Sequence, residues 1–225
     1  MSLTVFEHLE QRSEKWHEVR RGILTASVIG QLVTPSTLKV AENDASRALT
    51  ALLAAERITG HTDPTWQSAD MFRGVIEEPI ARDLYSEHYA PVKECGFILR
   101  DLGVGVLGLS PDGLVGDDGL IEVKSRRQKK QVTTVLSGRV PPENLAQCQA
   151  ALLVSGRAWL DYLSFSNGMH LWVTRVYPDI KWFEAITAAV AKFEETATRM
   201  TSDYLAAVDG FPLAERVDYD LEVVV

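Results

Sequence analysis

Between Ser110 and Lys124 the chain reads SPDGLVGDDGLIEVK, which sets Asp112 and Glu122 ten residues apart and Lys124 two beyond Glu122. The apolar segments Val104–Leu109 and Leu120–Val123 read as neighbouring strands joined by a turn at Asp117-Asp118-Gly119. Alternate residues of a strand share a face, so Glu122 and Lys124 point one way and Val123 the other, into a core. The turn then folds Asp112 back towards the two charges. Two carboxylates with a lysine beside them suit a hard divalent cation such as Mg²⁺, which binds through one or two carboxylates and keeps several waters. A cation held there activates water and shields a phosphodiester, while the lysine orients the water or neutralises developing charge. A charged surface hairpin has the same short pattern, so the surrounding segments decide between the two.

Those segments add polar groups of the right kinds. In Gly74–Arg82, GVIEEPIAR, a helical Glu78 would bring a third carboxylate to Asp112 and Glu122, whereas Glu77 reads as a solvated helix charge. Three acids together repel one another unless a cation joins them. The stretch from Trp16 to Ser27, WHEVRRGILTAS, places Arg20 before Thr25-Ala26-Ser27, which reads as the cap of a helix ending before Pro35. A guanidinium and helix-terminal donors suit a terminal phosphate. Lys124–Lys130 packs five basic residues into seven positions and suits tracking of a phosphate backbone, or else is an ordinary solvated face. Gln147 and Gln149 follow on a later helix, where an amide can hold a phosphate oxygen or a water.

Composition narrows the class. A chain of 225 residues fits one domain with a sizeable core. We expect a helical N-terminal part over about 1–90, a catalytic core over about 91–205 and a tail over 206–225. No apolar run is long enough for a membrane helix, and the charged N-terminus is unlike a secretory signal. Cys95 and Cys148 belong to no paired motif and read as reduced core thiols of a cytoplasmic protein. Five scattered histidines lack zinc spacing, and neither a phosphate-binding P-loop nor a nucleophile elbow is present. The net charge of −8 confines any nucleic-acid contact to a channel or one face.

The helices expected to carry these groups are Glu14–Arg21, Ala45–Thr59, a segment from Ser68 to about Tyr89 kinked or broken at Pro79, Arg126–Ser137, Glu143–Val154 and a long helix from Asp179 to about Leu205. Strands are expected at Lys93–Arg100, Val104–Leu109 and Leu120–Val123, with a hairpin over Ala158–Ser166 and Met169–Tyr177. Thr34–Val40 reads as a loop, and Leu221–Val225 as an edge strand or interface segment. The fold class is α/β, with a mixed central sheet flanked by helices.

Taken in order, WHEVRRGILTAS, the GxxxExxAR spacing of Gly74–Arg82, LSPDGL…IEVK and AQCQ at Ala146–Gln149 resemble the phage-type alkaline exonucleases, the lambda exonuclease or YqaJ-like viral recombinase family. The resemblance implies a restriction-endonuclease-like (PD-(D/E)xK) core. The implied enzyme digests one strand of linear duplex DNA processively from the 5′ end, with Mg²⁺ (or Mn²⁺), using two ions. It leaves 3′ single-stranded tails for recombination. Asp112, Glu122 and the Val123 carbonyl match the metal ligands, Lys124 the catalytic lysine and Glu78 the nearby helix acid. Arg20, Ser27, Ser110 and Gln149 match the 5′-phosphate pocket, and Met71 matches an apolar wedge at the duplex end. Arg126, Arg127, Lys129 and Lys130 are read as contacts to the DNA backbone. Also implied are a ring-shaped homotrimer, a single-strand annealing protein as partner, and a phage or prophage origin in a bacterial cytoplasm. An endonuclease of the same fold and a non-catalytic DNA-end binding subunit are the alternatives.

Overall fold

The computed structural model describes residues 2–64 and 68–217, so the segment Leu221–Val225 lies outside the described residues. Among the described residues, eleven strands form two main sheets and one small hairpin, with six α-helices packed beside them. The first sheet has the order β1 (Leu3–Phe6), β6 (Phe97–Asp101), β7 (Val106–Leu109), β2 (Leu24–Thr25). The second has the order β11 (Trp172–Val176), β10 (Trp159–Phe165), β9 (Gly119–Ser125), β8 (Gly113–Val115), β5 (Val92–Lys93). Strands β2 and β7 run parallel, as do β9 and β10; the other pairs in these sheets are antiparallel. Both sheets are therefore mixed or carry mixed pairing, and helices flank them.

Strand β9 is the frame of the candidate site, and its alternation divides the interior in two. Leu120 faces the larger core with Leu160 and Tyr162, against helices α5 (Pro142–Ser155) and α6 (Ile180–Ala207). Ile121 and Val123 face the opposite way, with Leu163 and Phe165, against Ala81 and Tyr85 of helix α3 (Ala69–His88). Glu122 therefore sits among apolar neighbours on the α5 side, a costly place for a carboxylate without polar partners. A parallel pair needs a crossover, and α4 (Gln128–Ser137) and α5 supply it between β9 and β10.

The helix ends follow from local sequence. Ser13 caps α1 (Glu14–Arg20) by accepting from the Trp16 N–H, and Asn43 forms a reciprocal box with Ser46 at the start of α2 (Asp44–Thr59). Gly60, in the left-handed region, closes α2. Helix α3 continues through Pro79, which stands on its exposed side, so of the kink or break expected there the break does not occur. The apolar stripe Ala81 and Tyr85, with Glu77 one turn earlier, holds the helix to the sheet.

Three further expectations are corrected. Thr25–Ser27 does not begin a helix: Leu24–Thr25 pairs with β7 as a strand, and only a 3₁₀ turn at Ile29–Gln31 follows. Thr34–Val40 is the tip of a hairpin formed by β3 (Val33–Thr34) and β4 (Lys39–Val40), not a plain loop. The partner of β9 across the Gly116–Asp118 turn is the three-residue strand β8, while Val106–Leu109 belongs to the other sheet. The chain steps between the sheets through Ser110–Asp112.

Candidate active site

That step between sheets creates a cleft of 240 Å³ whose walls include Arg12, Arg20, Ser27, Glu78, Ser110, Asp112, Glu122, Val123, Lys124 and Gln147. Asp112 ends the crossing segment, and its carboxylate accepts a 2.6 Å hydrogen bond from the Val123 N–H on the open edge of β9. A strand residue turns its N–H and C=O to the same edge. The Val123 carbonyl thus faces the cleft beside Asp112.

Glu122 and Lys124 share the α5 face of β9. Lys124 Nζ lies 2.6 Å from Glu122 Oε1, and the Gln147 amide closes the group by donating to that same oxygen at 2.6 Å and accepting from Lys124 at 2.9 Å. Burial of the Asp112 carboxyl, with Glu122 and then Glu78 nearby, pushes its pKa well above the ordinary value. Burial opposes the charge on Lys124, but Glu122 and Asp112 outweigh it and hold the ammonium above the usual lysine range. The two carboxylates thus favour the charged form of Lys124.

Glu78, on α3 at the mouth of the cleft, receives Arg12 at 2.9 Å and lies 3.7 Å from Arg82. Arg82 also donates to the Asp112 carbonyl at 2.9 Å, tying α3 to the crossing segment. Glu77 is not a solvated charge. It is buried, accepts from the Ser125 hydroxyl at 2.6 Å, and so clamps α3 to the far end of β9.

At the other end of the cleft, Ser110 Oγ accepts from Arg20 Nη1 at 2.6 Å and from Trp16 Nε1 at 3.0 Å. A serine hydroxyl has two acceptor sites and one donor. With both acceptor sites occupied, its hydrogen is left to point at an anion. The Arg20 guanidinium stacks over the Trp16 ring, 3.9 Å from its centroid. Burial lowers its pKa to about 10, partly offset by Glu56, so it stays charged at neutral pH. Ser27 is exposed on the cleft wall, its hydroxyl 3.1 Å from Thr25 Oγ1.

Several residues singled out in the sequence lie elsewhere. Gln149 points away from the cleft: its amide donates to the Tyr177 carbonyl and accepts from the Asp179 N–H, fixing the entry to α6. Two residues along a helix turn by about 200°, so Gln147 faces the carboxylates where Gln149 cannot. Arg126 is turned inward to Asn144 and the Tyr162 hydroxyl. Arg127 pairs with Asp70 at 2.8 Å, and Lys130 with Glu143 at 2.6 Å. Of the four basic residues proposed for the DNA backbone, only Lys129 forms neither an ion pair nor a side-chain hydrogen bond among the described residues. Met71 is exposed in the first turn of α3, one turn before Gly74, which lines the cleft.

Among the described residues, no three His, Cys, Asp or Glu side chains converge closely enough to hold an ion by themselves. The donor set is two carboxylates and a carbonyl, with Glu78 behind them. A donor set of oxygens only fits a Mg²⁺-like ion that keeps part of its water shell. The set offers nothing to a thiophilic metal, because Cys148, next to Gln147, is buried and its thiol is pushed up by burial and Glu122.

Solved structures similar to this chain include exonucleases. An alkaline exonuclease from Laribacter hongkongensis (LHK-Exo) is 27% identical, with a TM-score of 0.79 over 89% of this chain and 100% of its own. The same enzyme in complex with dAMP gives 28% identity and a TM-score of 0.77 over the same shares. A phage-related exonuclease from Haemophilus somnus 129PT, at 12% identity and a TM-score of 0.57 over 81% of this chain and 96% of its own, shares the fold. Curated proteins give no match. The fold is restriction-endonuclease-like. The model of the YqaJ-like viral recombinase domain matches residues 15–158, the stretch that holds every wall of the cleft except its Arg12 and Gln11 side, and the chain belongs to that family.

Proposed function

We propose that this chain is a metal-dependent exonuclease that hydrolyses one strand of linear duplex DNA from the 5′ end and leaves 3′ single-stranded tails for recombination. The observation that carries the reading is the convergence, in one cleft, of Asp112, Glu122 and Lys124 with the Arg20–Ser110 pair. One end of the cleft suits a scissile phosphodiester and the other a terminal phosphate. The alkaline exonuclease similarity supports the reaction class.

Asp112, Glu122 and the Val123 carbonyl would hold Mg²⁺, with Mn²⁺ an equivalent by ligand type, and Glu78 would serve a second ion. When bound, the metal supplies an activated water and shields the phosphate. The protein's own groups do the rest. Lys124, held by Glu122 and Gln147, presents a fixed positive charge to the reacting phosphate and cannot swing away. Such preorganised charge stabilises a transition state without reorganising. Arg20 and the free hydrogen of Ser110 hold the 5′-phosphate, with Ser27 on the neighbouring wall. Met71 is assigned to the splitting of the duplex end because it exposes an apolar side chain near the cleft mouth. Lys129 and Arg127 extend the path along the backbone, Arg127 by exchanging Asp70 for phosphate.

A ring-shaped homotrimer with a basic channel reconciles the acidic chain with a polyanionic substrate. A single-strand annealing protein is the expected partner, and the described residues contain no helix long and apolar enough to cross a membrane. The test is digestion of strand-labelled linear duplex bearing a 5′-phosphate, beside a covalently closed circle, with and without Mg²⁺. Metal-dependent loss of the 5′ strand from the linear form alone supports the exonuclease. Cutting of the circle supports an endonuclease, and binding without products a non-catalytic end-binding subunit.

A further inference from the structure

Arg12 stands at the lip of the cleft in a conformation that nothing in its own chemistry favours. Its φ is +70°, in the left-handed region, where a side chain crowds the carbonyl that follows it. The flanking residues enforce it. The Gln11 amide donates to the Cys95 carbonyl at 3.0 Å and to the Pro111 carbonyl at 2.9 Å, so Gln11 is fastened to the segment that leads into Asp112. Ser13, on the other side, is fixed as the cap of α1 and donates to the Glu10 carbonyl. Held between two anchored neighbours, Arg12 reaches across to Glu78 with Nη2 2.9 Å from Oε2.

Glu78 has a second cation in Arg82, but the two arginines differ in freedom. Arg82 is 14% exposed and committed to the Asp112 carbonyl and Glu94 as well. Arg12 is 47% exposed, and Glu78 is its one ion-pair partner among the described residues. Glu78 in turn lines the same cleft as Asp112 and Glu122, and Arg82 links it to the Asp112 carbonyl. The same carboxylate therefore serves Arg12 or a cation beside Asp112, and not both fully.

We propose that Arg12 is an exchangeable substrate clamp: it neutralises Glu78 while the metal site is empty, and it transfers to a DNA phosphate when Glu78 turns to the ion. The inference rests on the nuclease reading of the cleft. Metal and DNA are then coupled through one side chain, because each relieves Arg12 of the partner the other needs. The strained backbone keeps the guanidinium at the lip, where a phosphate beyond the scissile one passes.

Arg12→Gly tests this, since glycine accepts the positive φ and removes only the side chain. Mn²⁺ binding to the DNA-free protein is titrated calorimetrically, and binding of a 5′-phosphorylated hairpin is titrated in Ca²⁺ across a salt series. The expected result is Mn²⁺ affinity raised about fivefold, the size of a half-exposed ion pair. DNA affinity falls and its logarithmic salt slope shrinks by about 0.9, one phosphate contact. Arg12→Lys restores most of the DNA affinity. Unchanged or weaker Mn²⁺ binding overturns the exchange, and an unchanged salt slope overturns the phosphate contact. A wild-type protein that binds neither Mn²⁺ nor the hairpin overturns the nuclease reading instead.

Discussion

Replacing Glu56 by alanine disturbs the phosphate end of the cleft from a distance. Glu56 lies near the C-terminal end of α2, 8% exposed, and its Oε2 accepts a 2.6 Å hydrogen bond from the buried Gly22 N–H. Its neighbour Arg57 donates to the Gly22 carbonyl at 2.7 Å and forms a bidentate pair with Glu194 of α6. Helix α2 thus grips both polar groups of one residue in the turn two positions after Arg20. A buried hydrogen bond to a charged acceptor is worth about 1.5–3 kcal/mol, and alanine also orphans the Gly22 N–H. The expected loss is about 3 kcal/mol, or a fall in Tm of about 6–12 °C for a domain of this size. Glu56→Gln keeps an acceptor and removes only the charge, so its cost is about 1 kcal/mol. Glu56 also offsets the burial of Arg20. Loss of the grip on Gly22 frees the turn that follows Arg20, so Glu56→Ala is expected to lower the preference for 5′-phosphorylated over 5′-hydroxyl ends, and Glu56→Gln, which keeps the acceptor, to change it little. Differential scanning fluorimetry and initial rates on the two ends measure these effects. A Tm within about 2 °C of wild type for Glu56→Ala would refute the clamp. Unchanged end preference in a destabilised variant would refute its link to Arg20.

Two further changes probe the rest of the cleft. Asp112→Asn removes a buried charge repelled by Glu122 and Glu78 while keeping an acceptor for the Val123 N–H. It should raise the metal-free Tm by about 2–6 °C, abolish cleavage and lose the further rise that Mg²⁺ gives the wild type. A lower metal-free Tm would show that the acids are not mutually strained. Gly96→Ala drives a methyl group into the Leu9 backbone carbonyl, which cannot retreat without moving the segment that carries Gln11. A loss above about 3 kcal/mol is expected, seen as insoluble protein or a Tm lowered by about 6 °C or more; a soluble variant with wild-type Tm would contradict it.

The helices were legible because their caps and stripes are local: Asn43 with Gly60, Ser68, and Asp179 mark their own ends. The alternation of β9 was equally plain, since Leu120, Glu122 and Lys124 alternate with apolar Ile121 and Val123. What stayed hidden was non-local. Strand β8 spans three residues, too few for a period, so the apolar run before Ser110 looked like the hairpin partner of β9. In AQCQ, composition cannot say which glutamine faces inward. The spacing of Glu143 and Gln147, four apart and on one side of α5, was the available sign, since Glu143 meets Lys130 on that side. Glu77 and Glu78 posed the same difficulty, because adjacent helix positions differ by about 100° and only the seat of Ala81 on the sheet fixes the rotation. The basic run misled for another reason: Asp70, Glu143 and Asn144, which occupy three of its arginines and lysines, come from other parts of the chain.

Ser110 closes one sheet and Asp112 opens the way to the other, with only Pro111 between them. Two residues span at most about 7 Å of chain, and proline removes one backbone rotation from that short bridge. On the proposed function, the group assigned to the terminal phosphate and the group assigned to the reacting phosphate are therefore separated by a covalent ruler. On that reading the backbone between Ser110 and Asp112, rather than a movable side chain, sets the spacing of the two phosphate sites.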